Sequence, residues 1–546
     1  MRWRSIVIFL VIPLVLWSAC ATEEGNDPAP DDNDNTSENV APNNKGDENG
    51  DSNNDDKPEE EDVVCGDGVR DDGQECDGGD LGGKSCADMG PPFGELGCLD
   101  TCEFDTAHCG GWTSGHAVEG RTRSYDSATD PDDGLVVTGR FEETLDIGPH
   151  QIESLGRDDL FIARFADGGS ADWVRRYGGE DWVGGRAVDV TPEGDLLIAG
   201  NASGSPDMGG GPLNPESGSS SFFLARYDGN GQHVWSQIFG GSQSGANMVG
   251  DVTADSDGNA ILVGRFPGNY DLGGGDLINE GEGNYDFYML KVDSVGDHLW
   301  SQNFGGDGTI GQITGSAIDK DDNILVTGTF SGPISFGGES LDGGDNTSTF
   351  VAKYDPGGSH LWSQKFSSPD RVHGAGIATD DEGNALLTGR FREVMEIGDE
   401  ELAGNDRNNG YVVKLDPDGA YLWSRTFGDN DSVAARGETI VTDVDGHVIV
   451  GGEFGSTMVI EDQQLEATDF RPDGMVATYD PDGEFISVTG LQGDGPISVQ
   501  SASTTSDGHI RVLGAFEDTI AFGPDHNYET DDEGFFVIDM PPIAAP

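Results

Sequence analysis

The phrase Leu361-Trp362-Ser363-Gln364-Lys365-Phe366, with Asp355 and the pair Gly357-Gly358 just ahead of it, returns along the chain. It recurs as Val234-Trp235-Ser236-Gln237-Ile238-Phe239, as Leu299-Trp300-Ser301-Gln302-Asn303-Phe304 and as Leu422-Trp423-Ser424-Arg425-Thr426-Phe427. Counting from Trp173, successive tryptophans stand 62, 65, 62 and 61 residues apart. A fixed period longer than a single hairpin marks a repeat architecture, so the fold of the chain is whatever one period builds.

Within a period, a short run leads to a turn rich in Asp, Gly and Asn, as at 375–384, and a strand follows at once, as at 385–391. Counterparts of that strand stand at 135–141, 196–202, 260–266, 324–330, 448–454 and 510–516, which makes seven copies. An irregular stretch carrying Gly and an aliphatic comes next, such as 334–338. A third strand follows, at 160–165, 222–227, 287–292, 350–354, 411–415, 475–479 and 535–539. An Asp-x-x-Gly turn then leads into the tryptophan strand. The runs are short, β-branched and aromatic, and none keeps a helical period, so the region reads as all-β. Four strands per period, seven times over, predict a seven-bladed β-propeller. Runs such as Ile261-Leu262-Val263 are continuously apolar, as expected of strands covered on both faces by neighbouring blades. The last period stops at Pro541-Pro542 without a tryptophan strand, while Gly111-Trp112-Thr113-Ser114 stands alone ahead of the first. The strand beginning near Trp112 is therefore expected to become the outer strand of the last blade, closing the ring and removing both sheet edges.

In such a ring Trp112, Trp173, Trp235, Trp300, Trp362 and Trp423 read as blade packing, since a large ring at a fixed strand position is usually buried surface. Quinone-cofactor dehydrogenases place a similar Asp-x-x-x-Gly-x-x-x-Trp phrase at their outer-strand junctions, where it is also structural. The phrases Gly-Asn-x-x-x-x-Gly-x-Phe and Asp-x-x-Gly-x-x-x-Trp resemble the bacterial propeller family called SBBP repeats, over about four fifths of the chain. The resemblance implies an exported propeller and no shared activity. Asn201-Ala202 in the second period and Phe485 in place of a tryptophan depart from the pattern. Those two blades are expected to pack less regularly.

Four segments follow from composition: 1–20, 21–64, 65–110 and the propeller at 111–546. Arg2 and Arg4 precede an apolar run, 6–17, that is short for a transmembrane span and suits an export signal. Trp17-Ser18-Ala19-Cys20 resembles the lipobox of bacterial lipoproteins, departing from it at Trp17, where an aliphatic is usual. The resemblance implies lipid attachment at Cys20, and Ala21 after it is compatible with sorting to an outer membrane. Residues 22–62 are almost wholly Asp, Glu, Asn, Gly, Pro and Ser, and read as a disordered acidic tether. Six cysteines follow within a short, aliphatic-poor segment: Cys65, Cys76, Cys86, Cys98, Cys102 and Cys109. Such a segment cannot build a core, and in an exported protein the substitute is a disulfide framework, with pairing open among about fifteen connectivities. The runs at 65–69 and 74–77 resemble cysteine-rich repeats of surface proteins in myxobacteria and their relatives, which implies an extracellular setting and carries no catalytic residue.

The 546 residues hold 29 Lys and Arg against 102 Asp and Glu, a formal charge of −73. A surface this negative repels phosphate backbones, which excludes nucleic acid as a partner. The Asp-rich turns at 255–259, 319–323, 380–384 and 443–447 resemble fragments of calcium loops, but no bidentate Glu closes a ligand ladder. Asp and Gly favour tight turns for local reasons, so hairpins are the first reading and calcium the second. His233, His298 and His360 recur at equivalent positions before the tryptophan and would be spread around a rim, away from any common metal. His116, His373, His447 and His509 are scattered. No Gly-x-Ser-x-Gly elbow or helix-opening glycine loop fits an all-β chain.

No catalytic or cofactor-binding residue is therefore assigned. The expected role is an exported, lipid-anchored, non-enzymatic propeller that binds or scaffolds a protein or glycan at the outer membrane or cell surface. An extracellular glycan lyase, hydrolase or oxidoreductase with its site at the central mouth, or a calcium-stabilised adhesin, are the alternatives, because a fold of this kind hosts all of them.

Overall fold

The computed structural model describes residues 74–543 except 78–80, 83, 87–92, 95, 100–101, 107–108, 117–120, 216–220, 241–247, 280–284, 307–309, 429–434, 462, 469–470 and 523–526. The segments 1–20 and 21–64, with Cys20, and also Cys65, lie outside the described residues.

Every named element among the described residues is a strand, and the ring is built of seven antiparallel sheets, six of four strands and one, blade 4, whose four strands are extended to six by a hairpin from the next blade. Blade 5 shows the plan: Val372–Thr379 innermost, then Ala385–Phe391, Asn409–Leu415 and, outermost, the tryptophan strand Tyr421–Phe427. The seven inner strands are Thr122–Thr129, Val183–Val190, Met248–Ala254, Ile310–Ile318, Val372–Thr379, Ala435–Thr442 and Ile497–Thr504. Each abuts the next, and the seventh abuts the first. Second and third strands are buried on both faces, as in Leu386, Leu387, Val412 and Val413. Each fully buried aliphatic side chain of this kind contributes about 1.5–3 kcal/mol. The core is accordingly divided among the interfaces between blades: Leu262 and Tyr288 of one blade pack with Leu224 and Phe222 of its neighbour.

The ring closes with the N-terminal strand. Trp112–His116 pairs with Asn527–Met540, from Asp539 opposite Trp112 to Phe535 opposite His116, completing blade 7. Blades 2 and 6, where the repeat phrase is altered, both keep four paired strands.

The stretch between second and third strands is more ordered than the sequence suggests. It forms a short hairpin in blades 1, 3, 4, 5 and 6, such as Val394–Ile397 with Glu400–Ala403. Alternating apolar residues explain the hairpin: Met395 and Ile397 are buried against Phe366 of blade 4, while Glu396 between them is exposed. Blade 7 instead prolongs its two strands, Ile510–Ala521 and Asn527–Met540.

Ahead of the ring, Cys76–Cys98 and Cys86–Cys109 are disulfides, and Cys102 is disulfide-bonded as well. Phe93 from this module packs with Phe522, Ile520 and Phe536 of blade 7, so the module is seated on the blade that closes the ring.

Candidate functional site

The recurrent tryptophans dock one blade on the next. Trp362 of blade 4 donates its indole N–H to the carbonyl of Pro417 at 3.0 Å, and Pro417 belongs to the Asp-x-x-Gly turn of blade 5. Lys353 of blade 4 donates to the same carbonyl at 3.1 Å. Trp300 and Lys291 share the carbonyl of Pro356, Trp423 and Lys414 that of Pro481, and Trp235 and Arg226 that of Ser294. The glycine ending each turn lies against the indole. Gly419 has φ +87°, and a Cβ there would stand 2.9 Å from the Trp362 ring. Gly231 meets Trp173 and Gly169 meets Trp112 in the same way. Trp173 is buried, and the other five indoles are half-buried, one face on the turn and one edge to solvent.

Six tryptophans thus meet six turns. The seventh interface has no turn to offer, because blade 7 takes its third strand from the C-terminus and its outer strand from the N-terminus. The register of blade 6 puts Ser487 at the tryptophan position, opposite Thr478, which stands where blades 1 to 5 carry Arg164, Arg226, Lys291, Lys353 and Lys414. Phe485, expected from the sequence to replace the tryptophan, instead lies opposite Tyr479, where His360 and Tyr421 stand in blades 4 and 5. The missing tryptophan of blade 6 follows from how the ring closes. At the closing interface Trp112 Nε1 has no hydrogen-bond partner among the described residues; Arg511 lies 5.2 Å from its ring centroid and bonds both Asp539 and Asp167.

The Asp-rich turns are occupied by the protein itself. In Asp319, Oδ1 accepts the amides of Asp321 and Asn323, while Oδ2 accepts from the Asn323 side chain and sits 2.8 Å from Lys353 Nζ. Asp255 with Lys291 and Asp380 with Lys414 repeat this at 2.7 and 2.9 Å. In blade 6, which lacks the lysine, His447 Nδ1 pairs with Asp443 at 2.8 Å. Among the described residues no three His, Cys, Asp or Glu side chains converge as a metal centre requires. His233 and His298 bond the serine three residues on, Ser236 and Ser301, each within its own blade.

The inner strands line a central channel of about 860 Å³. Each carries a one-residue bulge, at Tyr125, Arg186, Gly250, Thr314, Ala375, Glu438 and Gln500. A bulge re-aims a side chain and is favoured beside functional sites; all seven bulge residues line the channel. The seven positions hold seven residue types, whereas the docking positions repeat one. Sequence reasoning missed this ring, although it has a signal: each member lies five residues before the first residue of the following turn, Asp130, Thr191, Asp255, Asp319, Asp380, Asp443 or Thr505.

Three channel carboxylates stitch inner strands together. Asp126 accepts the Val188 amide at 2.9 Å and the Ser501 hydroxyl at 2.8 Å; Asp189 accepts the Ala254 amide at 2.8 Å; Asp251 accepts the Ser316 amide at 2.7 Å. Burial, and then the charge of Asp251, push Asp126 up to about 7, and burial pushes Asp251 up to about 6 and raises Asp189.

Cations gather where the inner strands begin. Arg390 faces His373 across the register of blade 5, Arg436 pairs with Glu438 and Glu453 at 2.6 and 2.8 Å, and Arg265 donates to the Gly311 carbonyl at 2.7 Å. Arg186 lies 5.4 Å from the Tyr125 ring centroid. Burial, then repulsion from Arg436, lowers the proton affinity of Arg390; burial, then Arg390, Arg371 and Arg392, lower His373 to about 4. Burial also raises Glu438. At the opposite mouth the turns present Asp133, Glu193, Asp257, Asp321 and Glu382.

No family model matches the chain. An uncharacterized WD repeat-containing protein of Acanthamoeba polyphaga mimivirus is 23% identical over 380 residues, covering 56% of this chain; the chain spans about a quarter (27%) of that relative. A protein of unknown function from Dyadobacter fermentans superposes at a TM-score of 0.37 and 9% identity, over 78% of this chain and 98% of that one. Another, from Bacteroides caccae, gives 0.32 and 13%, over 60% and 89%.

Proposed function

We propose that this chain is a non-enzymatic binding or scaffold module, exported and lipid-anchored at Cys20, that presents the arginine-bearing mouth of its channel to a protein or glycan at the cell surface. The observation that carries the reading is the ring of seven bulge residues. The docking positions repeat from blade to blade, so they serve the ring; the bulge positions differ at every blade, so they serve something that breaks its symmetry. The channel aspartates Asp126, Asp189 and Asp251 are taken up in bonds between inner strands, which favours binding over turnover. A membrane attachment at Cys20 would carry the propeller beyond the acidic tether.

The test is a protein pull-down and a glycan array with the full chain, read against a triple variant at Tyr125, Arg186 and Gln500. Capture that the variant loses supports the reading; turnover of a glycan overturns it. Lipidation is read separately, from incorporation of labelled fatty acid that Cys20→Ser abolishes. The enzyme alternative has one observation in its favour: Glu438, raised by burial inside the channel beside Arg436, is the kind of group an acid catalyst uses. That alternative requires a turnover that Glu438→Gln eliminates.

A further inference from the structure

We propose that the channel mouth is built for an acidic oligosaccharide, one bearing carboxylate or sulfate groups on successive sugars, received by Arg186 on one side of the ring and by Arg390 with His373 on the other. The inference rests on the reading of the mouth as a binding site and deepens it by naming the ligand chemistry.

The charge inventory of the channel is the first step. Four arginines line it, Arg186, Arg265, Arg390 and Arg436, in a chain where acidic residues outnumber basic ones by 102 to 29. Arg436 is offset by Glu438 and Glu453. Arg265 braces the Gly311 carbonyl and lies 4.6 Å from the ring centroid of Tyr285. The three aspartates are bonded to neighbouring strands and held toward their neutral form. Arg186 and Arg390 are left without an ion pair or hydrogen bond among the described residues. Each also stands near another guanidinium, exposed Arg186 near half-buried Arg265, and half-buried Arg390 near Arg436, where Glu438 and Glu453 act on both arginines; an anion shared between guanidiniums relieves their repulsion. Arginine's planar fork suits carboxylate and sulfate oxygens in pairs.

Shape and the remaining lining narrow the ligand further. A cavity of about 860 Å³ is of the size that encloses a small ligand or a short oligomer, while a protein partner is anchored by apolar side chains buried in pockets. Between the two arginine sites the lining is Tyr125, Gln312, Thr314, Gln500 and Ser498. Amides and hydroxyls of this kind donate to and accept from sugar hydroxyls. Arg186 belongs to blade 2 and Arg390 to blade 5, so one anionic group cannot satisfy both; a chain of sugars with charges at intervals can.

The experiment uses the full chain and titration calorimetry with four probes: an oligogalacturonate tetrasaccharide, a sulfated chondroitin tetrasaccharide, a neutral cello-oligosaccharide and a glutamate tetrapeptide. Expected is binding of one or both acidic sugars, at least tenfold weaker in Arg390→Gln and in Arg186→Gln, with melting temperatures unchanged in both variants. The two acidic arms distinguish carboxylate from sulfate. In the binding-competent protein the His373 imidazole resonance should titrate at higher pH when the acidic sugar is present, a shift that a purely structural Arg390 would not give. If the neutral sugar binds and neither arginine variant changes it, the anionic assignment fails while the binding module stands. Equal binding of the glutamate peptide overturns the sugar part, and no binding of any acidic probe overturns the whole inference. Hydrolysis or elimination of a probe would overturn the binding-module reading instead.

Discussion

The girdle of docked tryptophans and the ring of bulge residues are built from the same repeat, yet they obey opposite rules. At the girdle six interfaces set an indole on a turn glycine, and four of them add one device, the indole and a lysine or arginine on a shared turn carbonyl. Around the channel the repeated element is the bulge itself, and the side chain it carries changes at every blade. The difference teaches where a repeat protein keeps stability and where it has room for specificity. A position that meets the same turn at six interfaces is held to one residue type by packing and by hydrogen-bond geometry. A position that faces the axis meets no neighbour of fixed shape.

The comparison breaks most severely where the ring closes. Deleting residues 111–116 strips the edge of Asn527–Met540 of its partner and removes Trp112 from the turn of blade 1. The expected result is loss of the single cooperative melt by calorimetry, and an unaltered melt would contradict closure by this strand. Next in size is Lys353→Ala, which leaves Asp319 as an uncompensated buried charge; denaturant unfolding should show a loss of about 3–5 kcal/mol. The pair Asp319→Asn with Lys353→Met should be milder, because no charge is then left buried alone.

Gly419→Ala places a methyl group on the Trp362 indole at a positive φ and should lower stability by about 2 kcal/mol in the same assay. Ser487→Trp, which restores the tryptophan position but has no turn to dock on, should gain nothing by that measure. The channel has its own signature in pH. Asp126 and Asp251 bind protons more tightly in the folded protein than in the unfolded chain, so their contribution is most favourable in acid and declines as pH rises from about 4 through about 7. The melting temperature should fall over that window, and the double variant Asp126→Asn, Asp251→Asn should show a shallower fall. The smallest expected effect is that of a chelator. Because Lys291, Lys353 and Lys414 already pair with the turn aspartates, EDTA should leave the melt unchanged; a drop would revive the calcium-stabilised reading.

Much of the fold was legible because a repeat states its own answer several times. The period, the number of blades and the orphan strand at Trp112 are properties of spacing, and spacing survives without coordinates. The hairpins between second and third strands were less legible, since residues such as Met395 and Ile397 alternate over only two or three positions, too few to separate a hairpin from a loop. Their pairing depends on the face that Phe366 of the preceding blade provides. The missing tryptophan of blade 6 was visible as an irregularity, but its place at Ser487 and not Phe485 was set by the register, and its cause lies in the absence of a turn in a blade assembled from both ends of the chain.

The candidate site was the least legible part. Arg186, Glu438 and Gln500 sit in runs that read as ordinary inner strands, and only their common spacing, five residues ahead of the following turn, marks them as equivalent. By itself the sequence determined a closed ring of seven blades, because side-chain spacing and turn chemistry act over tens of residues and repeat. Only the tertiary structure decided which residues meet on the axis, since that requires seven strands separated by some sixty residues each to be brought to one line. It also decided which charges there are held in an ion pair or hydrogen bond and which, like Arg186 and Arg390, are not among the described residues.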